Sequence, residues 1–109
     1  MQGGTWRPVT ACAAGVQAIG DATRLIRCGE ADMALCGGAE ACIDRFSAGA
    51  FAAARALSTD FTETPSQASR PFDQARDGFV IAEGAGLLVI ESLEHAGDRG
   101  ARPIVELAG

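Results

Sequence analysis

The hydrophobic pattern divides the chain into segments of different period. From Cys12 to about Arg27 (CAAGVQAIGDATRLIR) the positions Val16, Ile19, Thr23 and Ile26 recur at three- and four-residue steps. That spacing predicts a helix with one core-facing side. Thr10 stands where a cap would, and Gly29 in Cys28-Gly29-Glu30 stands where a helix stops. Gly15 and Gly20 weaken the helix by up to ~1 kcal/mol each, which makes sense if another backbone presses against it. Ala31 to Gly38 is short, almost continuously apolar and ends in glycines, the pattern of a strand covered on both faces.

A second helix is expected from roughly Ile43 to Ala56. It gives way to a long irregular stretch, Leu57 to Asp77, with Pro65 and Pro71; a loop of that length is often functional. Phe79 to Glu91 (FVIAEGAGLLVIE) divides at Glu83-Gly84-Ala85-Gly86, giving two strands or one strongly bent strand. Ser92 to Arg99 reads as a short helix capped by Ser92 and stopped by Gly100. Pro103 to Leu107 begins another strand. The order of elements is α/β.

Composition narrows the function. The chain has 109 residues, of which 48% are apolar and only 6% aromatic, with no Tyr. Its core must come from Ala, Leu, Ile and Val. Net charge is −5, and all nine basic residues are single, scattered arginines. Nucleic-acid binding, which wants a basic patch, is excluded as a reading. No apolar run is long enough for a transmembrane helix, and MQGGTWRPVT lacks the apolar stretch of a signal peptide.

Four cysteines remain: Cys12, Cys28, Cys36 and Cys42. Their gaps fit neither zinc pairs nor a disulfide framework, so a metal or redox module is a weak reading. Cys28, Cys36 and Cys42 are expected to be small buried hydrophobes. Cys12 differs because TACAAG places it at the first turn of a buried helix. The unpaired N–H groups there stabilise a thiolate, and the small neighbours admit a thioester. Its own N–H can point at a developing oxyanion. A buried structural cysteine is the competing reading of the same residues.

The order TACAAG, GEADMALCGGAE, FAAARALST, SRPFD and RDGFVIAEGAGLLVIESLEHA resembles the β-ketoacyl-acyl-carrier-protein synthases, closest to their stand-alone elongating branch. The resemblance covers residues 9–109, about one quarter of the family's usual length. It implies a partial thiolase-like fold, layered α/β/α, of which this is a central fragment. Residues 1–102 then form the latter part of the N-terminal half, and 103–109 open a strand of the C-terminal half.

Cys12 matches the cysteine that takes the acyl chain as a thioester before condensation with malonyl-carrier protein. Phe51 matches an aromatic lining the acyl channel, with a plain core Phe as the alternative. Arg55 matches an arginine near the carrier-protein docking face, with a solvated Arg as the alternative. Asp32 to Gly38 matches the strand that pairs with its twin across a homodimer. Acyl carrier protein and acyl and malonyl thioesters are the implied partners, and no cofactor or metal is implied. The implied location is cytoplasmic, the alternative being the mitochondrial matrix.

The resemblance also breaks. The family's two catalytic histidines and their lysine have no counterpart here. The single His95 falls at an ordinary surface position of the SLEHA helix. Half of each sheet of the implied fold is also unsupplied, so the fragment alone is expected to fold poorly, and without those catalytic groups to lack condensation activity. An inactive pseudo-synthase segment, acting as an interaction module, is the alternative function.

Overall fold

The computed structural model describes residues 3–108; the ends of the expected segments at 1, 2 and 109 lie outside the described residues. The chain divides into two units. One takes the chain up to Ala39 and again from Ala85, and the other is Glu40–Gly84.

In the first unit a 3-10 turn, Ala11–Ala13, leads directly into α1 (Ala14–Arg27). Thr10 does not cap with its side chain; its carbonyl accepts the Ala13 N–H at 3.1 Å instead. The far end closes as the sequence predicts. Gly29 adopts φ 73°, Glu30 N–H reaches Leu25 O, and Gly29 N–H reaches Ile26 O. These are the two bonds of a Schellman stop.

Strand β1 (Met33–Glu40) pairs with β2 (Gly84–Glu91) in a two-stranded sheet. Asp32 O accepts from Ser92 N–H, Cys36 Sγ lies 3.7 Å from Leu88 O, and Gly37 abuts Gly86 and Leu87. Numbers rise on one strand as they fall on the other, so the pair is antiparallel. At Gly37 (φ 141°) a Cβ would collide with Gly86 O. Only glycine lets the strands approach there. The bend expected at Glu83–Gly86 is the start of β2, with no second regular strand before it among the described residues.

Helix α3 (Leu93–Asp98) follows. The Ser92 hydroxyl accepts the His95 N–H at 3.1 Å, and Gly100 (φ 70°) ends the helix with Ala101 N–H on Ala96 O. Both end signals were in the sequence.

The predicted face of α1 is half-buried at Ile19, Thr23 and Ile26, but its first residue is not. Gly15 lies against Gly38, and Ala22 is buried, while Val16 is 75% exposed. At Gly15 only a small residue allows the helix so close to Gly38. Strand β1 likewise buries Cys36 and leaves Leu35 70% exposed, so it is not covered on both faces. Cys28 is exposed and Cys42 half-buried, against the expectation that both are buried. Residues 103–107 form no strand; Ile104 and Val105 are exposed, with no ladder partner among the described residues. A strand is a hydrogen-bonded pairing, and its apolar pattern cannot supply the other half. In total the chain exposes 9063 Å², where a folded monomer of its mass exposes roughly 5,700 Å².

The second unit carries α2 (Arg45–Ala53), shorter at both ends than Ile43 to Ala56. Asp44 caps it, accepting from Phe46 and Ser47 N–H and from the Ser47 hydroxyl at 2.8–2.9 Å. The irregular stretch that follows contains one 3-10 turn, Pro65–Gln67, and a parallel bridge between Leu57 and Phe79.

Candidate active site

Cys12 sits at the centre of the 3-10 turn, its side chain exposed. It is therefore one step ahead of α1 rather than in the first turn of a buried helix. The residue before it, Ala11, has φ 50°. This left-handed conformation costs a non-glycine residue about 1–2 kcal/mol. It turns the chain sharply and delivers Cys12 to the helix start. The glycine contact then fixes that start against the sheet: a Cβ on Gly38 would stand 3.2 Å from Gly15 Cα.

The electrostatics at this point are one-signed. Neither the 3-10 turn nor α1 has an acidic residue in its first turn or a side-chain cap. The partial positive charge of the helix start is left for whatever anion forms there. Ala13 N–H makes the first bond of the turn, so Cys12 N–H lies outside the ladder and stays available to an oxyanion. Cys36 contrasts with it: buried in β1, its thiol is pushed up by desolvation, which disfavours the reactive thiolate.

Phe51 and Arg55 belong to the other unit. Phe51 projects from α2, 38% exposed, and its ring meets Phe79 edge to face with centroids 5.1 Å apart. Arg55 ends α2. Ala56 N–H bonds Phe51 O and Arg55 N–H bonds Ala52 O, so Arg55 fills the left-handed position of a Schellman stop at φ 55°. In α1 and α3 the same position holds Gly29 and Gly100. An exposed arginine where glycine is cheaper points to a use for its side chain. Among the described residues it forms no ion pair.

His95 is not simply solvated. Its Nδ1 lies 2.7 Å from Glu91 Oε2, and Arg99 grips the same carboxylate through Nε and Nη2. These partners, Arg99 first, pull Glu91 down to about 2. The cluster fastens α3 to the end of β2.

Sequence reasoning passed over Asp77, in the RDGF run. Its carboxylate accepts from the Ser58 hydroxyl (2.6 Å), Thr59 N–H (2.6 Å) and Asp60 N–H (2.8 Å), and these bonds hold it at about 2. A pocket of about 280 Å³ in this unit is lined by Leu57, Phe61, Ala68 and Phe79 among others; Cys12 is not part of it. Among the described residues no cluster of His, Cys, Asp or Glu could hold a metal ion, and no helix is long and apolar enough to cross a membrane.

Comparison with known proteins gives the family. Residues 1–96 match the family described as Beta-ketoacyl synthase, N-terminal domain. The mitochondrial 3-oxoacyl-[acyl-carrier-protein] synthase of Arabidopsis thaliana is 54% identical over the whole chain, which spans 24% of that protein. The 3-oxoacyl-[acyl-carrier-protein] synthase 2 of Rhizobium meliloti is 51% identical, again over the whole chain and 26% of the relative.

Among solved structures, a type II PKS ketosynthase in complex with its acyl-carrier protein superposes with a TM-score of 0.82. It is 50% identical, over 85% of this chain and 23% of its own. A β-ketoacyl synthase from Burkholderia phymatum gives 0.77 at 44% identity, over 84% and 22%. The chain thus spans about a quarter of the length of the relatives it matches. Its fold is a partial, thiolase-like α/β fold shared with ketosynthases. It belongs to the β-ketoacyl synthases, matching their N-terminal domain.

Proposed function

We propose that this chain is the acyl-accepting segment of a 3-oxoacyl-acyl-carrier-protein synthase of fatty-acid biosynthesis, with Cys12 as nucleophile. The observation that carries the reading is the exposed Cys12 on a strained turn before an acid-free helix start.

The Cys12 sulfur attacks the carbonyl carbon of an acyl thioester on acyl carrier protein. The oxyanion that forms is met by Cys12 N–H and the partial charge of α1. Collapse expels the carrier's thiol and leaves acyl-Cys12. Malonyl-carrier protein then loses carbon dioxide, and its carbanion attacks the acyl-Cys12 carbonyl. A carbon–carbon bond forms as the carbon–sulfur bond breaks, returning the Cys12 sulfur and releasing a β-ketoacyl product. Covalent capture splits one difficult condensation into two steps.

The groups that assist decarboxylation, two histidines and a lysine in this reading, are not in this segment, since His95 is engaged with Glu91. Phe51 lines the acyl path and Arg55 faces the acidic carrier protein. The working form is a homodimer paired through Asp32 to Gly38. The compartment is the cytoplasm or, following the name of the Arabidopsis relative, the mitochondrial matrix.

The test substitutes this chain for the matching segment of the Rhizobium meliloti relative and incubates the hybrid with acyl-carrier protein thioester. Intact-mass and peptide analysis should find one acyl group, on Cys12. Acylation at Cys28 or Cys42, or none in a hybrid that melts cooperatively, would overturn the assignment.

A further inference from the structure

Phe51 does not hold its place alone. The Ala56 peptide links it to Phe79: Ala56 N–H donates to Phe51 O (3.0 Å), and Ala56 O accepts from Phe79 N–H (2.9 Å). Phe79 O in turn accepts from Ser58 N–H at 3.0 Å. Two residues upstream of Phe79, the Asp77 carboxylate gathers Ser58, Thr59 and Asp60. Between them, Gly78 lies so close to the Leu57–Ser58 peptide that a Cβ would fall 2.5 Å from Ser58 N. Segment 77–79 is therefore latched to segment 56–60 by backbone, side chain and close packing together. The outcome of the latch is the edge-to-face contact of the two rings at 5.1 Å and 83°. Edge-to-face is one of the arrangements aromatic pairs favour over a face-to-face sandwich.

We propose that Phe79 is a specificity-determining residue whose ring fixes Phe51, and that Asp77 is the positioning residue holding Phe79 for that purpose. The inference rests on Phe51 lining the acyl path. With the pair intact, Phe51 stands as a fixed wall that selects acyl length. With Phe79 truncated, the Phe51 ring gains rotamers and longer chains enter. Phe79 also lines the 280 Å³ pocket, which gives its ring free volume on one side. Contact with Phe51 and the latch, not close packing all round, must then define its position.

The experiment uses the full-length hybrid synthase and measures kcat/KM for a short and a long acyl-carrier thioester. Phe51→Ala, Phe79→Leu, Phe79→Ala and Asp77→Ala are compared with the double variant Phe51→Ala/Phe79→Ala. The expected result is a long-to-short ratio raised about tenfold by Phe51→Ala and by Phe79→Ala, with no further rise in the double variant. Phe79→Leu keeps most of the bulk and the fold, and should raise the ratio severalfold. Asp77→Ala should shift it in the same direction, and Asp77→Asn, which retains one acceptor oxygen, less.

If Phe51→Ala moves the ratio and both Phe79 variants leave it alone, the proposal fails while the reading of Phe51 stands. If Phe51→Ala also leaves it alone, that reading fails and the proposal with it. A fall in kcat/KM equal for both chain lengths in the Phe79 and Asp77 variants would mean a structural role only, and would overturn it too.

Discussion

The two long helices of this chain begin in opposite ways. Helix α2 has its start occupied: Asp44 takes the Phe46 and Ser47 amides and the Ser47 hydroxyl. Helix α1 has no side-chain cap and no acid in its first turn, and is entered through a strained Ala11. A capping carboxylate normally stabilises a helix start. Its absence at α1 leaves the positive end of the helix free beside Cys12, and that is where the acyl oxyanion would form. One start is closed by a carboxylate; the other is left open, which is what the proposed role of Cys12 requires.

The strongest way to break the comparison is to remove the thiol. In the hybrid synthase, Cys12→Ala should abolish acyl-enzyme formation and lower condensation by at least ~10³-fold, as loss of a covalent nucleophile does. Cys28→Ala, at another exposed thiol at the C-terminal end of α1, should leave both within about twofold. Equal loss from either substitution would show that the helix start confers nothing.

The next largest effect comes from making α1 resemble α2. Ala13→Asp puts a carboxylate on the last residue of the 3-10 turn, directly before α1. The helix should gain ~0.3–1 kcal/mol from the acid at its positive end, read as a raised melting temperature. Acylation should slow by about 5- to 30-fold, because the negative charge opposes an anion worth ~1–2 kcal/mol of helix-end stabilisation. A stabilised hybrid with unchanged acylation would remove the electrostatic part of the argument.

The C-terminal ends extend the contrast. Gly29 and Gly100 close α1 and α3, while Arg55 closes α2 in the same left-handed geometry. Arg55→Gly should therefore stabilise the unit by up to ~1 kcal/mol and raise the KM for carrier protein severalfold with kcat little changed. A loss of stability would mean that Arg55 is held by contacts and not kept for a partner.

These contrasts also show which parts of the molecule could be read in advance. Gly29, Ser92 and Gly100 act through bonds to residues within one turn, so their spelling suffices. The family was legible because the motifs around Cys12 are local and their company distinctive. Of the predicted face of α1, Ile19, Thr23 and Ile26 are partly buried and only Val16 is exposed, because what meets Gly38 at that end must be small. The strand expected at 103–107 failed for want of a partner. Asp77 escaped notice because its bonds reach back across the irregular stretch to Ser58–Asp60. Arg55 was named for its motif, but nothing in the spelling says that an arginine adopts φ 55°. Non-local pairings and costly backbone states are where pattern reading stops.

Acid should separate the two helix starts by the smallest effect. The Asp44 carboxyl is pulled below its ordinary 3.8 by the Ser47 amide first, then by the Ser47 hydroxyl. A depressed folded value means that its contribution is complete above about pH 4. It is lost as pH falls through the lowered value, where the carboxylate is protonated in both states. Helix α1 has no carboxylate in its first turn and loses nothing of this kind in the same window. Amide exchange of Phe46 and Ser47 should therefore accelerate on acidification more than that of Ala13 and Ala14, after correction for intrinsic rates. Asp77 and Glu91, both held at about 2, also let go toward the lower end. Asp44→Asn isolates the Asp44 contribution: its first-turn amides should lose the extra acid sensitivity and follow those of α1. If they keep it, the acid response belongs to the Asp77 latch rather than to the cap, and the two starts do not differ in the way their side chains suggest.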